Sequence, residues 1–329
     1  MGCEKELSNF MKTVVHRDRR PQKVSRPDCP ACGESARNCM WLPHTEVRKC
    51  LNPSCALMFA FPQIDDLALG AAYQKFYYPS PDTDIATYQN TPEQILRQTF
   101  DKAEAELGPL AGKRLLDFGS GVGGLCKVAN EYGIRAVGIE PDANAREHAR
   151  KSGGLRAYAN LRDLREAHPY SKFDIVTMWD VVEHLRKPWK ELEDLLQALR
   201  PGGWLMLSTP NAASLRARVE RERWSNTVNP THFYYFTRKS LKAVLKRAGF
   251  SEISELQISI RYPAHRIVRR IVHHALVSCR LEGQLVFIAR SRMLETAKAK
   301  RSFEENQENE VHAAELSHVE GRIRFKGSG

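Results

Sequence analysis

The stretch "LLDFGSGVGG", residues 115–124, constrains the fold more than any other part of this 329-residue chain. A strand-like apolar run enters a glycine turn, and the turn opens a helical pattern. Such a turn brings bare backbone N–H groups and the positive end of a helix dipole against a ligand's anionic group. Gly119 and Gly121 lack a Cβ, so the backbone there can approach that ligand closely. Gly119, Gly121 and Gly124 also satisfy the G-x-G-x-x-G spacing of dinucleotide sites. Glu140 ends the next strand-like run, where a carboxylate can accept hydrogen bonds from both hydroxyls of a ribose. Asp117 departs from the dinucleotide pattern: that position is ordinarily small and apolar, and a carboxylate there can attract a ligand ammonium.

From Lys113 onward, apolar strand-like runs alternate with helical segments, which predicts an α/β fold with a mainly parallel sheet. The expected strands are 114–118, 135–140, 155–158, 173–179, 203–208, 253–259 and 284–290, with helices around 122–132, 143–151, 188–199 and 238–248. Upstream, "TPEQILRQTFDKAEAELGPL" reads as a helix with Thr91 as N-cap and Pro92 at its first position. The expected division is a mobile basic N-terminus (1–27), a cysteine-rich module (28–62), a linker (63–90), the α/β domain (91–292) and a disordered tail (293–329).

Two further stretches, "FDIVTMWDVVEHL" (173–185) and "LRPGGWLMLSTPN" (199–211), complete a pattern. With the glycine loop they make the chain resemble class I S-adenosylmethionine (SAM)-dependent methyltransferases. In those proteins an E/D-x-G-x-G loop, an acid after the second strand, an F-D-x-V strand and an L-x-P-G-G turn occur in this order. The resemblance covers roughly residues 90–292 and implies a Rossmann-like, seven-stranded sheet with helices on both faces. It also implies that Asp117, Gly119 and Gly121 line the methionine end of SAM, that Glu140 holds the ribose, and that Asp163 or Asn160 lies near the adenine. Asp180, at the end of the fourth strand, borders the same crevice.

Five of the eight cysteines crowd into residues 29–55. "CPACG" supplies Cys29 and Cys32, and "CLNPSC" supplies Cys50 and Cys55, two chelating pairs that suit a tetrahedral, structural Zn²⁺. Four thiolates leave no open coordination position. Cys39 falls between the pairs and is expected to be spare. The continuation "CALMFAFPQ" resembles the small zinc-binding module that precedes the methyltransferase domain in one branch of this superfamily.

For a hydroxyl acceptor the protein must align donor and nucleophile and remove a proton. His232, ahead of the aromatic run 233–236, and His184, in "WDVVEH", are the candidate bases. The P-x-H-x-x-x-F arrangement at 230–236 is similar to small-molecule methyltransferases that include the ubiquinone-pathway O-methyltransferases. Asp180, Glu183 and His184 match an acid-x-x-E-H segment that holds a divalent cation such as Mg²⁺ in those enzymes, although metal-independent relatives carry it too. The resemblance therefore favours a small-molecule acceptor, with O-methylation first and C- or N-methylation of a sugar or other metabolite as the alternative. No N/D-P-P-Y/F motif of nucleic-base methylation is present.

The formal charge of +11 favours an anionic partner without identifying it. Arg216, Arg218, Arg221 and Arg223 offer a basic rim for an anionic acceptor, and methylation of RNA or protein docked through the zinc module is the less favoured alternative, with nucleic acid as a possible partner. The basic amphipathic stretch 264–280 offers a peripheral membrane contact. With no apolar run of about 18 residues and no secretory h-region, the expectation is a cytoplasmic protein.

Overall fold

The computed structural model describes residues 27–42, 44–76, 91–169, 171–258, 279 and 281–292. The basic segment up to residue 26, the tail from 293 and nearly all of 264–280 lie outside the described residues, as do 77–90 of the expected linker. In chain order the strands are β1 (Ala36–Trp41), β2 (Glu46–Cys50), β3 (Met58–Phe61), β4 (Arg114–Phe118), β5 (Arg135–Ile139), β6 (Ala157–Tyr158), β7 (Phe173–Trp179), β8 (Leu199–Pro210), β9 (Tyr234–Tyr235), β10 (Ser251–Glu255) and β11 (Gln284–Arg290).

Seven of them form one sheet in the order β10-β11-β8-β7-β4-β5-β6. β4, β5, β6, β7 and β8 pair parallel to one another, and β11 lies antiparallel between β8 and β10. Alternate residues separate the two faces. Leu115, Ile175, Met206 and Val286 pack with Leu96, Phe100 and Val128 from the helices Glu93–Leu107 and Gly124–Glu131. Leu116, Val176, Leu205 and Phe287 pack on the other face with Leu192 and Leu241, from the helices Pro188–Leu196 and Arg238–Arg247. β7 is covered on both sides, which is why "FDIVTMW" reads as a nearly continuous apolar run. The structure is thus the Rossmann-like α/β sheet that the pattern implied.

The chain runs outward from β4 to β6 in one direction and from β7 to β8 in the other. This places a topological switch point, and hence a ligand crevice, at the carboxyl ends of β4 and β7.

Three expectations are corrected. Pro92, not Thr91, occupies the N-cap position of the helix Glu93–Leu107, and the Thr91 hydroxyl accepts the Trp179 indole N–H at 3.0 Å instead. The fifth strand runs from 199 to 210 rather than 203–208, because β11 pairs along it from Arg290↔Trp204 to Gln284↔Pro210 while its first residues pair with β7. The linker contains a helix, Asp66–Phe76, started by the Asp65 carboxylate accepting the Ala68 N–H at 2.8 Å. Among the described residues no helix is long and apolar enough to cross a membrane.

In a second sheet, β1-β2-β3-β9, Cys50 ends β2, Cys55 lies between β2 and β3, and Cys29 and Cys32 precede β1. Three of its strands precede the large sheet, but β9 comes from the segment that follows β8. Cys29, Cys50, Leu57 and Phe59 belong to the same buried cluster as Phe233 and Phe236, so the module shares its core with the α/β body.

Candidate active site

The glycine loop lies between β4 and the helix Gly124–Glu131. Gly119 has φ +83°, and a Cβ there would stand 2.5 Å from Val181 Cγ2. Only glycine fits that turn without strain. The loop is fixed from the neighbouring strand end: Gly119 and Ser120 N–H groups donate to Ile139 O at 2.8 and 2.9 Å. The Glu140 carboxylate accepts the Gly121 N–H and the Asp142 N–H, each at 2.9 Å. Glu140 therefore stands against the loop it was expected to cooperate with, although its separation in sequence is large.

Asp117 is buried on β4. The Thr177 hydroxyl of β7 donates to it at 2.7 Å, and the Cys126 thiol of the following helix donates at 3.6 Å. Burial raises this carboxyl to about 6; the two donors oppose the rise and the nearby Glu140 charge adds to it.

Beyond β7 the chain turns sharply at Asp180, φ +53°. Ser208 Oγ and the Gln284 amide donate to Asp180 Oδ1, and Thr209 Oγ1 donates to Glu183 at 3.0 Å. Burial raises both carboxyls, and the Asp180 charge adds to the rise at Glu183.

The His184 and His232 rings meet edge to face with centroids 4.6 Å apart. His184 Nδ1 lies 3.0 Å from both the carbonyl and the hydroxyl oxygen of Thr231. A carbonyl only accepts, and the hydroxyl already donates to Asn229 Oδ1 at 2.8 Å. This pattern puts the proton on Nδ1, so Nε2 carries the lone pair in the neutral imidazole. Burial lowers His184 to about 4. His232 is held well below its ordinary value, first by burial and then by the charge of His184.

These groups surround one pocket of about 900 Å³. Asp117, Gly119, Gly121, Glu140, Asp180 and His184 all line it. His232, 6% exposed, is not among its lining residues, and its ring meets that of the lining His184 edge to face. Asp163 also stands outside the lining. It is engaged in capping the helix Leu161–Ala167, where Asn160 accepts the Asp163 N–H at 2.9 Å and donates back to its carboxylate at 3.2 Å. Asn160 itself lines the pocket. Arg216, Arg218, Arg221 and Arg223 do not.

The lining carries five carboxylates, Asp117, Glu140, Asp180, Glu191 and Asp194, against two guanidinium groups, Arg162 and Arg165. In a chain of net charge +11 this acidic lining opposes a pyrophosphate and suits a cationic ligand. Ser120 Oγ, also in the lining, is buried without a hydrogen-bond partner, a polar atom left for a ligand. Sequence reading missed Ser120, Thr177, Thr231 and Asn229. A threonine inside the apolar run "FDIVTMW" was the one signal available for Thr177.

Glu183, His184 and His232 bring one ligand atom each within 4.8 Å of one another, and Asp180 is not part of that group. Two imidazoles and one carboxylate are a poor set for Mg²⁺, which takes oxygen ligands. The Asp180/Glu183/His184 set that the motif offers, and that is not favoured as a metal site, is not the group brought together.

Cys29, Cys32, Cys50 and Cys55 converge with all four sulfurs within 4.8 Å. Cys29–Cys55 and Cys32–Cys50 are 3.8 and 3.4 Å apart. Four-coordinate zinc with Zn–S bonds of about 2.3 Å has a sulfur–sulfur edge of about 3.8 Å, so the cluster is of the right size. Without metal, the contact with Cys55 and burial push the Cys29 thiol up, and burial with the Cys32 contact pushes Cys50 to about 12. Cys39 stays outside, its thiol donating to Val47 O at 3.3 Å.

Residues 88–255, just over half of the chain, match the family described as "Methyltransferase domain". Two curated ubiquinone biosynthesis O-methyltransferases are similar: that of Rhodopseudomonas palustris (strain BisA53) is 34% identical over 46% of this chain and 66% of its own length. That of Ruegeria pomeroyi is 30% identical over 52% of this chain and 80% of its own length. The Bradyrhizobium sp. (strain ORS 278) enzyme of the same description is 34% identical, and there the match spans 46% of its length. The chain thus spans about half to two thirds of the first curated relatives it matches. Among solved structures, an S-adenosylmethionine-dependent methyltransferase from Mesorhizobium loti superposes with a TM-score of 0.45 at 20% identity, over 59% of this chain and 97% of that one. With the switch-point crevice and its acidic lining already in place, the family match is decisive: the chain belongs to the methyltransferase-domain family, as a class I, SAM-dependent member.

Proposed function

We propose that this protein transfers a methyl group from SAM to an oxygen of a small-molecule acceptor, with His184 as the proton acceptor. The observation that carries the reading is one continuous pocket running from the glycine loop and Glu140 to the His184 imidazole. Asp117, Gly119, Gly121 and Ser120 would hold the methionine end of SAM, Glu140 the ribose, and Asn160 the edge of the adenine; Asp163 supports Asn160 from outside. When bound, SAM supplies an electrophilic methyl on a sulfonium whose thioether leaves readily.

The chain's own residues are left with alignment and proton removal. Thr231, fixed by Asn229, holds the His184 ring through Nδ1, and Nε2 of the neutral ring is the nitrogen that would take the proton of a hydroxyl. Burial keeps the imidazole neutral, the form a base must have. His232 packs against His184 and limits its rotation. The choice of oxygen follows the printed description of the relatives, ubiquinone biosynthesis O-methyltransferase. A hydroxyl-bearing metabolite, sugar or lipid precursor is the acceptor class. Zn²⁺ bound by Cys29, Cys32, Cys50 and Cys55 is structural, and metal analysis should find about one zinc per chain.

Incubation of the protein with methyl-labelled SAM and fractionated cell extract, read by mass spectrometry, should reveal one hydroxyl compound that gains a labelled methyl. His184→Ala should lower its turnover by about 10²-fold or more with SAM affinity nearly unchanged. Labelling on carbon or nitrogen would contradict the oxygen assignment. Loss in His232→Ala but not in His184→Ala would exchange the roles of the two rings.

A further inference from the structure

The cysteine module makes two independent connections to the segment that carries His184. In the first, β3 pairs with β9 through Met58↔Tyr235 and Phe59↔Tyr234. The Ala60 N–H donates to Phe233 O at 2.9 Å, and the Phe233 N–H in turn donates to Glu183 O at 2.8 Å. One residue, Phe233, is thus bonded to the module on one side and to the Glu183–His184 turn on the other. Thr231, two residues before it, holds the His184 ring.

The second connection is Arg186, two residues beyond His184. Its guanidinium donates to Ile64 O at 2.9 Å, Asp66 Oδ1 at 2.6 Å and Gln63 Oε1 at 3.2 Å, all just past β3. The same group lies over the Phe233 ring, 4.9 Å from its centroid. The Tyr234 hydroxyl donates back to Arg186 O at 2.8 Å. The helix that begins at Asp66 then brings Tyr73 into the pocket wall, its ring 6.2 Å from that of His184. The hydrogen bonds that fix the glycine loop come instead from the end of β5 and its flanking turn, Ile139 O and the Glu140 carboxylate, and its contact with the His184 segment is the apolar one of Gly119 with Val181.

We propose that the four-thiolate module is a clamp on the acceptor side of the pocket: its metal-closed fold fixes β3, and β3 with Arg186 sets the position of His184. Arg186 is a positioning residue, and the inference rests on the reading of His184 as the proton acceptor. The module's role is internal, which accounts for a Cys₄ site whose buried sulfurs share the core of the catalytic body. Metal loss or thiol oxidation would therefore act on turnover before it acts on SAM binding.

The test compares the full-length zinc-loaded protein, the same protein after chelation, and the variants Arg186→Leu and Arg186→Lys. Hydrogen exchange read by mass spectrometry reports the backbone, and calorimetry reports SAM. Chelation and Arg186→Leu should each speed exchange at 229–236 and 180–187 by about tenfold or more, leave 135–140 unchanged, and shift the SAM dissociation constant by less than threefold. Where an acceptor is in hand, kcat should fall about tenfold in Arg186→Leu and recover in part in Arg186→Lys. Unchanged exchange at 229–236 in a chelated protein whose 46–61 segment has loosened would overturn the clamp. Loss of SAM binding in parallel would overturn it too, by showing general unfolding. Exchange and SAM binding need no acceptor, so failure of the methyl-transfer reading would be seen separately.

Discussion

Asp117 is a carboxylate whose charge state near neutral pH is set by its neighbours. Burial raises it to about 6, with Thr177 and Cys126 opposing. Below that value the free protein holds a proton there, which a cationic ammonium must displace. SAM affinity should therefore be level above about pH 7 and fall toward tenfold per unit as pH drops below 6. Thr177→Val removes a donor, so it should move that break to higher pH in a calorimetric titration series. The two histidines act on folding, and they too weaken it on acidification. His184 is lowered from 6.5 to about 4, and His232 lies well below its ordinary value. Between those limits the unfolded chain binds protons that the folded one does not, so stability rises with pH. The raised Asp117, Asp180 and Glu183 carboxyls act in the opposite sense, so the imidazole contribution is read as a difference: in denaturation followed from pH 7 to 4.5, the parent protein should lose up to about 1.4 kcal/mol per pH unit more than His184→Gln on acidification. Asp117 and Glu140 were legible in the sequence because each sits at a strand end at a fixed offset from the glycines. Thr177 and Thr231 were not, since their partners lie 60 and 47 residues away and meet them only across the sheet or beyond its end. His232 is a candidate base in the sequence because it precedes the aromatic run 233–236, and in the fold it is buried together with that run.

At the scale of elements, the glycine turn and the segment after β7 are packed against each other. Gly119→Ala places a methyl 2.5 Å from Val181 Cγ2 at φ +83°. The expected cost is about 1–3 kcal/mol of stability, measured by thermal or urea unfolding, with SAM affinity reduced tenfold or more. Val181→Ala in the same chain should relieve the contact but not the backbone strain, and so recover the loss only in part. Strands and helices of the large sheet were legible because buried parallel strands read as apolar runs and the helices keep their 3.6-residue period. β9 was hidden for a physical reason: it is two residues long, lies inside an aromatic run, and exists as a strand only because β3 is there to pair with it. The same long-range pairing is why residues 28–62 read as a separable module in sequence and yet pair with β9 and share a buried core with the α/β body in the fold.

Across the whole molecule, charge is distributed unevenly. Residues 1–26 and 259–280 together hold twelve basic side chains against three acidic ones, most of the +11 surplus, while the pocket is lined mainly by carboxylates. Binding in the pocket should thus respond weakly to salt: SAM affinity should change less than about threefold between 50 and 200 mM. A nucleic-acid partner making six to ten phosphate contacts would lose about 10³-fold or more over that range. The central claim is that the crevice at the ends of β4 and β7 holds SAM and not a dinucleotide. Isothermal titration of the full chain with SAM and with NAD tests it most directly, with Glu140→Ala as the paired control. The account predicts one SAM bound per chain, no NAD, and binding at least tenfold weaker in the variant; NAD bound in preference, or SAM bound equally well without the Glu140 carboxylate, would contradict it.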